Sequence, residues 1–339
     1  MPAITHHTRR STQLLATIAA SSALLLGGCA TTAASGGDPE ETSAPAGSAY
    51  PLTIDNCGTE LTLDAAPARV VTIKSSTLEL LLALGLGDRI VGSAFTDGPV
   101  PEEFTTIASD IPLISDKVPS QEVTLATEPD FIYAGWESNL TAEGAGERAD
   151  LAKLGVDTYV APAACKGDGY MPDPLEFSEV FREFAEVGVV FNVPDAADSL
   201  ISEQEAALAE IEPNTDGLTA LWYSSGKDTP FVGAGIGSPQ MIMGAAGLVN
   251  IGAEVKDSWT SMSWEVIVDE NPDVIVLVDS SWNTAESKIE YLESNPITSI
   301  LTAVQEKRYV ILDFAATEAG VRNVGAVAST VEQLKELGL

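Results

Sequence analysis

The chain has 339 residues, 45% of them hydrophobic, with 17 basic and 50 acidic side chains and a net charge of −33. Such a length fits two lobes better than one, and so negative a field makes nucleic acid and anionic membrane surfaces poor partners. Both histidines, His6 and His7, lie at the extreme N-terminus; once a leader is removed, Ser-His-Asp or Cys-His catalysis, His-ligated zinc and His-ligated haem are excluded, and no resident metal or cofactor is implied.

Arg9 and Arg10 precede the apolar run "LLATIAASSALLLGG", which ends against Cys29. Charged, apolar and small-residue segments in that order read as a secretory signal over residues 1–28. A cysteine directly after "LLLGG" resembles a bacterial lipobox, which implies that Cys29 becomes the lipidated first residue of the mature chain. The apolar run is too short and wrongly flanked for a permanent membrane helix, so the anchor is expected to be lipid. Loss of residues 1–28 removes two arginines and no acids, leaving 15 basic residues against 50 acidic ones. Residues 29–49, rich in Ala, Ser, Thr, Gly and Pro, cannot bury a core and read as a flexible tether.

The folded part starts near Tyr50. Residues 51–63 read as a hairpin turned at "DNCG", followed by the strands "RVVTIK", "RIVGSA", "FIYAG" and "DTYVAP", with helices over 76–86, 120–127 and 142–154. Strands alternating with helices imply a mostly parallel sheet covered on both faces, and this first lobe spans 50–193. The helical spacing that follows is broken at "NVPDA", and Pro194 suits the first turn of a new helix. Helices over 174–191 and 195–212 are therefore expected, the second about 27 Å long. It forms a spanning helix, 194–213, into a second lobe over 214–339, with strands "LTALWYS", "FVGAG", "DVIVLVD" and "RYVILDF" and helices near 238–246, 263–270, 284–294 and 319–336. The fold class is α/β: two Rossmann-like lobes with mostly parallel sheets, joined by a long spanning helix.

The two lobes share a pattern. "QEVTLATEPDFIYAGW" (121–136) matches "WEVIVDENPDVIVLVD" (264–279), and "LALGLGDRIVGSA" (82–94) parallels "MGAAGLVNIGAEV" (243–255). Internal similarity of this kind argues for two copies of one plan, and it places Glu122 and Glu265 at equivalent helix starts. With Cys29 assigned to lipid, Cys57 and Cys165 remain. In an exported protein they are expected to pair, pinning the first hairpin to the lobe that follows it; the alternative is two buried thiols.

Ligands of α/β sheets gather beyond the carboxyl ends of the strands. On the first lobe those loops carry Lys74, Ser75, Ser76, Lys117, Trp136, Glu137 and Lys166; on the second, Tyr223, Ser224, Lys227, Trp282, Phe314 and Arg322. Five cations among them point to an anionic ligand, with Arg322 able to fork a phosphate or carboxylate. Trp136 and Trp282 offer faces for stacking. Of the neighbours Trp222 and Tyr223, one is expected in the core, and Trp222 is the better candidate. The stretch "FVGAGIGSPQMIM" invites comparison with a nucleotide-binding loop, but that motif needs GxGxxG between the first strand and its helix, and Ser238 stands where the third glycine would be. Gly235 and Ser238 are retained instead as ligand contacts at a helix start.

An anchor, a tether, two α/β lobes, a joining helix and the paired Glu-Val, Pro-Asp, strand pattern resemble the class III solute-binding proteins of ABC importers, which include siderophore-binding and cobalamin-binding proteins. In that family one glutamate on each lobe docks onto arginines of a two-subunit permease driven by an ATPase, and Glu122 and Glu265 match those positions. The stretches "TIKSSTLELLLALGLGDRIVG", "ALWYSSGKDTPFVGAGIGSPQMIM" and "FAATEAGVR" resemble an actinobacterial subgroup proposed to take up coenzyme F420-0, a deazaflavin phospholactate. The resemblance implies a monomer held at the extracytoplasmic face through Cys29, binding an anionic aromatic or chelate-type molecule without reaction. The alternative ligand is an iron siderophore or corrinoid. A nucleotide-binding oxidoreductase or an adhesive surface lipoprotein are the competing classes.

Overall fold

A computed structural model describes residues 50–171 and 173–339. The expected signal (1–28), the tether (29–49) and the lipidation site Cys29 lie outside the described residues.

Strands β1 (Leu52–Asn56) and β2 (Thr59–Leu63) form an antiparallel hairpin whose two-residue turn puts both Cys57 (φ 52°) and Gly58 (φ 77°) in the left-handed region. Two positive φ values match the twist of the paired strands. The side-chain amide of Asn56 then extends the adjoining sheet. Its Nδ2 donates to Val160 O and its Oδ1 accepts from Val160 N, both at 2.8 Å, while Arg148 caps Asn56 O at 2.8 Å.

β3 (Val70–Ile73), β4 (Ile90–Ala94), β5 (Leu113–Ser115), β6 (Phe131–Ala134) and β7 (Asp157–Val160) make a five-stranded, all-parallel sheet in the order β5-β4-β3-β6-β7. β5 is an edge strand that the sequence reading did not include. The second sheet contains β8 (Thr219–Ser225), β9 (Phe231–Gly233), β10 (Val249–Asn250), β11 (Trp259–Ser261), β12 (Val274–Asp279) and β13 (Tyr309–Asp313). β10, β8, β12 and β13 run parallel, whereas β9 lies antiparallel to both β8 and β11. The centres of both sheets are covered on both faces. Trp222 and Tyr223, neighbours pointing to opposite faces of β8, are therefore both buried, where the sequence reading sent Tyr223 to the ligand.

The helices are α1 (Ser75–Ala83), α2 (Thr105–Ala108), α3 (Gln121–Leu125), α4 (Arg148–Lys153), α5 (Phe177–Val190), α6 (Pro194–Ala209), α7 (Ser238–Ala245), α8 (Trp264–Glu270), α9 (Ala285–Ser294), α10 (Thr302–Gln305) and α11 (Asn323–Glu336). The internal repeat has a local counterpart. Ser120 caps α3 by accepting from Val123 N at 3.3 Å, and Ser263 caps α8 by accepting from Val266 N at 3.4 Å. Glu122 and Glu265 are thus each the second residue of a Ser-capped helix, and both are exposed.

Pro194 opens α6, which ends at Ala209 rather than at 212 and so is about 24 Å long. α5 and α6 cross closely at Gly188, where an added Cβ would lie 2.5 Å from that of Ala197. Phe177 and Ile211 pack against the cores beside both sheets, and Met241 of α7 and Val324 of α11 join the core beside the first sheet. Apolar packing is continuous from one half of the molecule to the other.

Candidate ligand-binding cleft

The loops beyond the carboxyl ends of β3, β6, β7, β8 and β13 converge on a cavity of about 600 Å³. The first half contributes Ser76, Trp136, Glu137 and the 161–166 loop; the second contributes Ser224, Phe231, Gly237, Ser238, Trp259, Phe314 and Glu318. Trp136, Phe231, Trp259 and Phe314 bring four aromatic side chains to its wall. Phe231 and Trp259 stack at 5.9 Å with planes 12° apart, and Phe95 supports Trp136 edge-on at 5.6 Å. Such apolar faces with a few convergent polar groups are the usual make-up of a small-molecule site.

Lys74 lies beneath this wall. It is 1% exposed, pairs with Asp97, and holds its Nζ 3.9 Å from the Trp136 ring centroid, 4.6 Å from Phe95 and 4.9 Å from Phe314. Gly135 makes room for it, since a Cβ there would come within 2.8 Å of Lys74 Cβ. The Lys74 backbone sits at φ 89°, ψ 152°, a region costly for a side-chain-bearing residue. Its surroundings hold it there: Lys74 N donates to Ala94 O at 3.0 Å. Burial pushes the Asp97 carboxyl up despite Lys74 beside it.

Glu318 faces the cavity and accepts from Trp136 Nε1 at 2.8 Å, linking the two halves. Burial raises its pKa, with Lys74 and the Trp136 bond opposing the rise. Lys166 also crosses between halves, its Nζ donating to Asp257 Oδ1 at 2.8 Å and Ser258 Oγ at 3.1 Å, while its backbone N donates to Glu137 Oε2 at 2.6 Å. Cys57 and Cys165 are joined in a disulfide with Cα atoms 5.4 Å apart, so the loop bearing Lys166 is tied to the first hairpin.

The sequence-derived site residues divide accordingly. Ser76, Trp136, Glu137, Lys166, Ser224, Ser238 and Phe314 line the cavity. Lys74 and Ser75 lie behind it, Ser75 Oγ accepting from Asp97 N at 2.8 Å. Lys117 is exposed and off the wall. Tyr223 is in the core, its hydroxyl donating to Gly226 O at 2.8 Å. Lys227 is exposed beyond the wall, its Nζ 5.8 Å from the Tyr291 ring. Trp282 is 66% exposed and meets the cavity only through its edge contact with Phe314 at 6.1 Å. Gly235 serves the fold: its N donates to Val255 O at 2.9 Å, and a Cβ would come within 2.0 Å of Ala253 O. The neighbouring amides of Ala234 and Ile236 are likewise bonded to Ser258 O and Asp257 O, which leaves none of the three to cradle an anion.

Arg322 is the largest correction. Nε and Nη2 fork Glu79 of α1 at 2.7 and 2.5 Å, and Nη2 also donates to Pro99 O at 2.7 Å. It lines a different cavity, of about 730 Å³, among α6, α11 and β13. The lining of that space includes the end of β13 but no residue of the 600 Å³ cavity wall.

Residues 70–316 match the periplasmic binding protein family. The chain belongs to that family. An uncharacterised ABC transporter substrate-binding lipoprotein of Bacillus subtilis is 25% identical over 84% of this chain and 86% of its own length. A cobalamin-binding protein of Halobacterium salinarum is 29% identical over 70% of this chain, and the match spans 61% of that longer protein. Among solved structures, an ABC-type Fe3+-hydroxamate transport system protein from Saccharomonospora viridis superposes with a TM-score of 0.72 over 84% of this chain and 99% of its own, at 23% identity. That last likeness establishes the shared fold.

Within the family fold, sequence reasoning missed Phe231, Asp257, Ser258 and Glu318, and for Trp259 it left a rim position and ordinary packing equally open. Phe231 begins β9, and only because β9 runs antiparallel does its first residue reach the ends of the parallel strands. Glu318 was within reach of the sequence, four residues past Phe314 in the loop already favoured after "ILDF".

Proposed function

We propose that the protein is the substrate-binding component of an ABC importer, holding a solute in the cavity between its two sheets and handing it to the permease without reaction. The observation that carries this reading is the aromatic cavity at the meeting of both sets of strand ends, in a chain of the periplasmic binding protein family. The name of the Bacillus subtilis relative supports the same role and a lipid anchor at the extracytoplasmic face, for which Cys29 is the candidate. Glu122 and Glu265, exposed at equivalent Ser-capped positions, are the proposed contacts with permease arginines. Complementary charge at two places orients the docking and speeds encounter.

For the ligand, coenzyme F420-0 would need cations for its phosphate and carboxylate, and of the five foreseen only Lys166 reaches the wall. An iron siderophore or corrinoid fits the aromatic wall as well, in keeping with what the Halobacterium and Saccharomonospora proteins are named for. The test is mass and absorption analysis of the molecule that co-purifies with the protein, followed by titration of the stripped protein. Stoichiometric binding with unchanged release is the expected result; conversion of the molecule on the protein would overturn the binding role.

A further inference from the structure

The charged side chains on the cavity wall are Glu137, Lys166, Asp257 and Glu318. Lys166, the one cation among them, is already bonded to Asp257 and Ser258. Behind the wall Lys74 is matched by Asp97, and beyond it Arg322 is matched by Glu79. Among the described residues the cavity therefore offers an arriving molecule no cation without a carboxylate beside it.

What it does offer is a carboxylate. Glu318 uses Oε2 for Trp136 and feels the charge of Lys74, and among the described residues Oε1 has no hydrogen-bond partner. The Glu318 loop is firmly placed: Asn323 Nδ2 donates to Glu318 O at 2.7 Å and to Ala316 O at 3.1 Å, and Gly320 N donates to Asn323 Oδ1 at 2.8 Å. A fixed acceptor among aromatic faces is satisfied by a donor or cation on the ligand and repels an anion. Repulsion of this kind discriminates as effectively as attraction.

We propose that the cavity selects an uncharged or cationic ligand, whose N–H donor or positive group meets Glu318 while its apolar face lies on Trp136, Phe231, Trp259 and Phe314. This rests on the solute-binding role and narrows its ligand class.

Calorimetric titration of the full-length protein with three probes of different charge tests it: a cationic ferric trihydroxamate, neutral cyanocobalamin and an anionic ferric tricatecholate. The cationic or the neutral probe is expected to bind, with the tricatecholate at least ~100-fold weaker. Glu318→Gln keeps an acceptor for Trp136, so it should preserve the fold and weaken a cationic probe ~10-fold. Tight binding of the tricatecholate or of coenzyme F420-0 overturns the proposal but leaves the solute-binding role standing, as does a Glu318→Gln protein that binds a cationic probe unchanged. If no probe binds, the charge of the co-purifying molecule decides, an anion overturning the proposal and a neutral or cationic molecule supporting it. No binding and no co-purifying molecule overturn both readings.

Discussion

Replacing Arg322 with alanine separates a clasp from a ligand contact. Arg322 is 17% exposed at its side chain and Glu79 1%, so the substitution strands a buried carboxylate and removes the donor to Pro99 O. Removing one partner of a buried pair costs about 3–5 kcal/mol, because the remaining charge has lost its compensation. Burial already pushes the Glu79 pKa up, with Arg322 holding it back. The stranded group can therefore take a proton, which puts the expected loss near ~3 kcal/mol. At about 2 °C per kcal/mol for a fold of this size, the melting temperature should fall by roughly 6 °C. Urea unfolding followed by tryptophan fluorescence measures the loss directly. Arg322→Met combined with Glu79→Leu should restore stability to within ~1–2 kcal/mol, since a well-packed apolar pair replaces the ionic one. Ligand affinity in the single variant should change little. An Arg322→Ala protein of wild-type stability that loses its ligand would refute the clasp and return Arg322 to the binding site.

The Cys57–Cys165 bond closes a separation of 108 residues, so the Cys57→Ser, Cys165→Ser protein should lose about 4–5 kcal/mol through a freer unfolded chain. The Asn56–Val160 and Arg148 bonds keep the hairpin docked in the folded state; a melt within ~1 kcal/mol of wild type would refute this. Charge reversal at both Glu122 and Glu265 should abolish uptake in cells while calorimetry shows unchanged ligand affinity, and weakened affinity would place these residues in the binding site instead. Glu183, hydrogen-bonded to Tyr133, has its pKa raised by burial from 4.5 to about 7. The folded state therefore holds that proton more tightly, and the associated stability is full below pH 4.5 and lost as pH rises through about 7. Glu183→Gln should flatten that decline and leave the variant more stable than wild type above pH 7 by on the order of 3 kcal/mol; parallel urea-unfolding curves from pH 4 to 8 would contradict it.

Patterns carried by neighbouring residues were legible before any coordinates. Alternating strands and helices, the hairpin turn at Cys57–Gly58, Pro194 at a helix start, and the equivalent helix starts at Glu122 and Glu265 follow from period, turn chemistry and the internal repeat, each fixed within a few residues. The aromatic character of the cleft was partly legible too, since Trp136 and Phe314 stand directly after strands. Its charge was not. The sequence placed five cations on strand-end loops and could not show that carboxylates distant in the chain claim Lys74, Lys166 and Arg322, or that Lys117 and Lys227 stand off the wall.

The amino-acid sequence by itself determined an α/β chain with a repeated plan, no histidine beyond His7 and ligand loops at the strand ends. Only the tertiary structure decided that Arg322 is spent on Glu79, 243 residues away, that Lys74 lies under Trp136 against Asp97, and that an antiparallel β9 brings Phe231 to the cleft. The reason is physical: helix and strand preferences act over a few residues, whereas the pairing of buried charges and the direction of a strand are set by whatever the folded chain brings within a few ångströms.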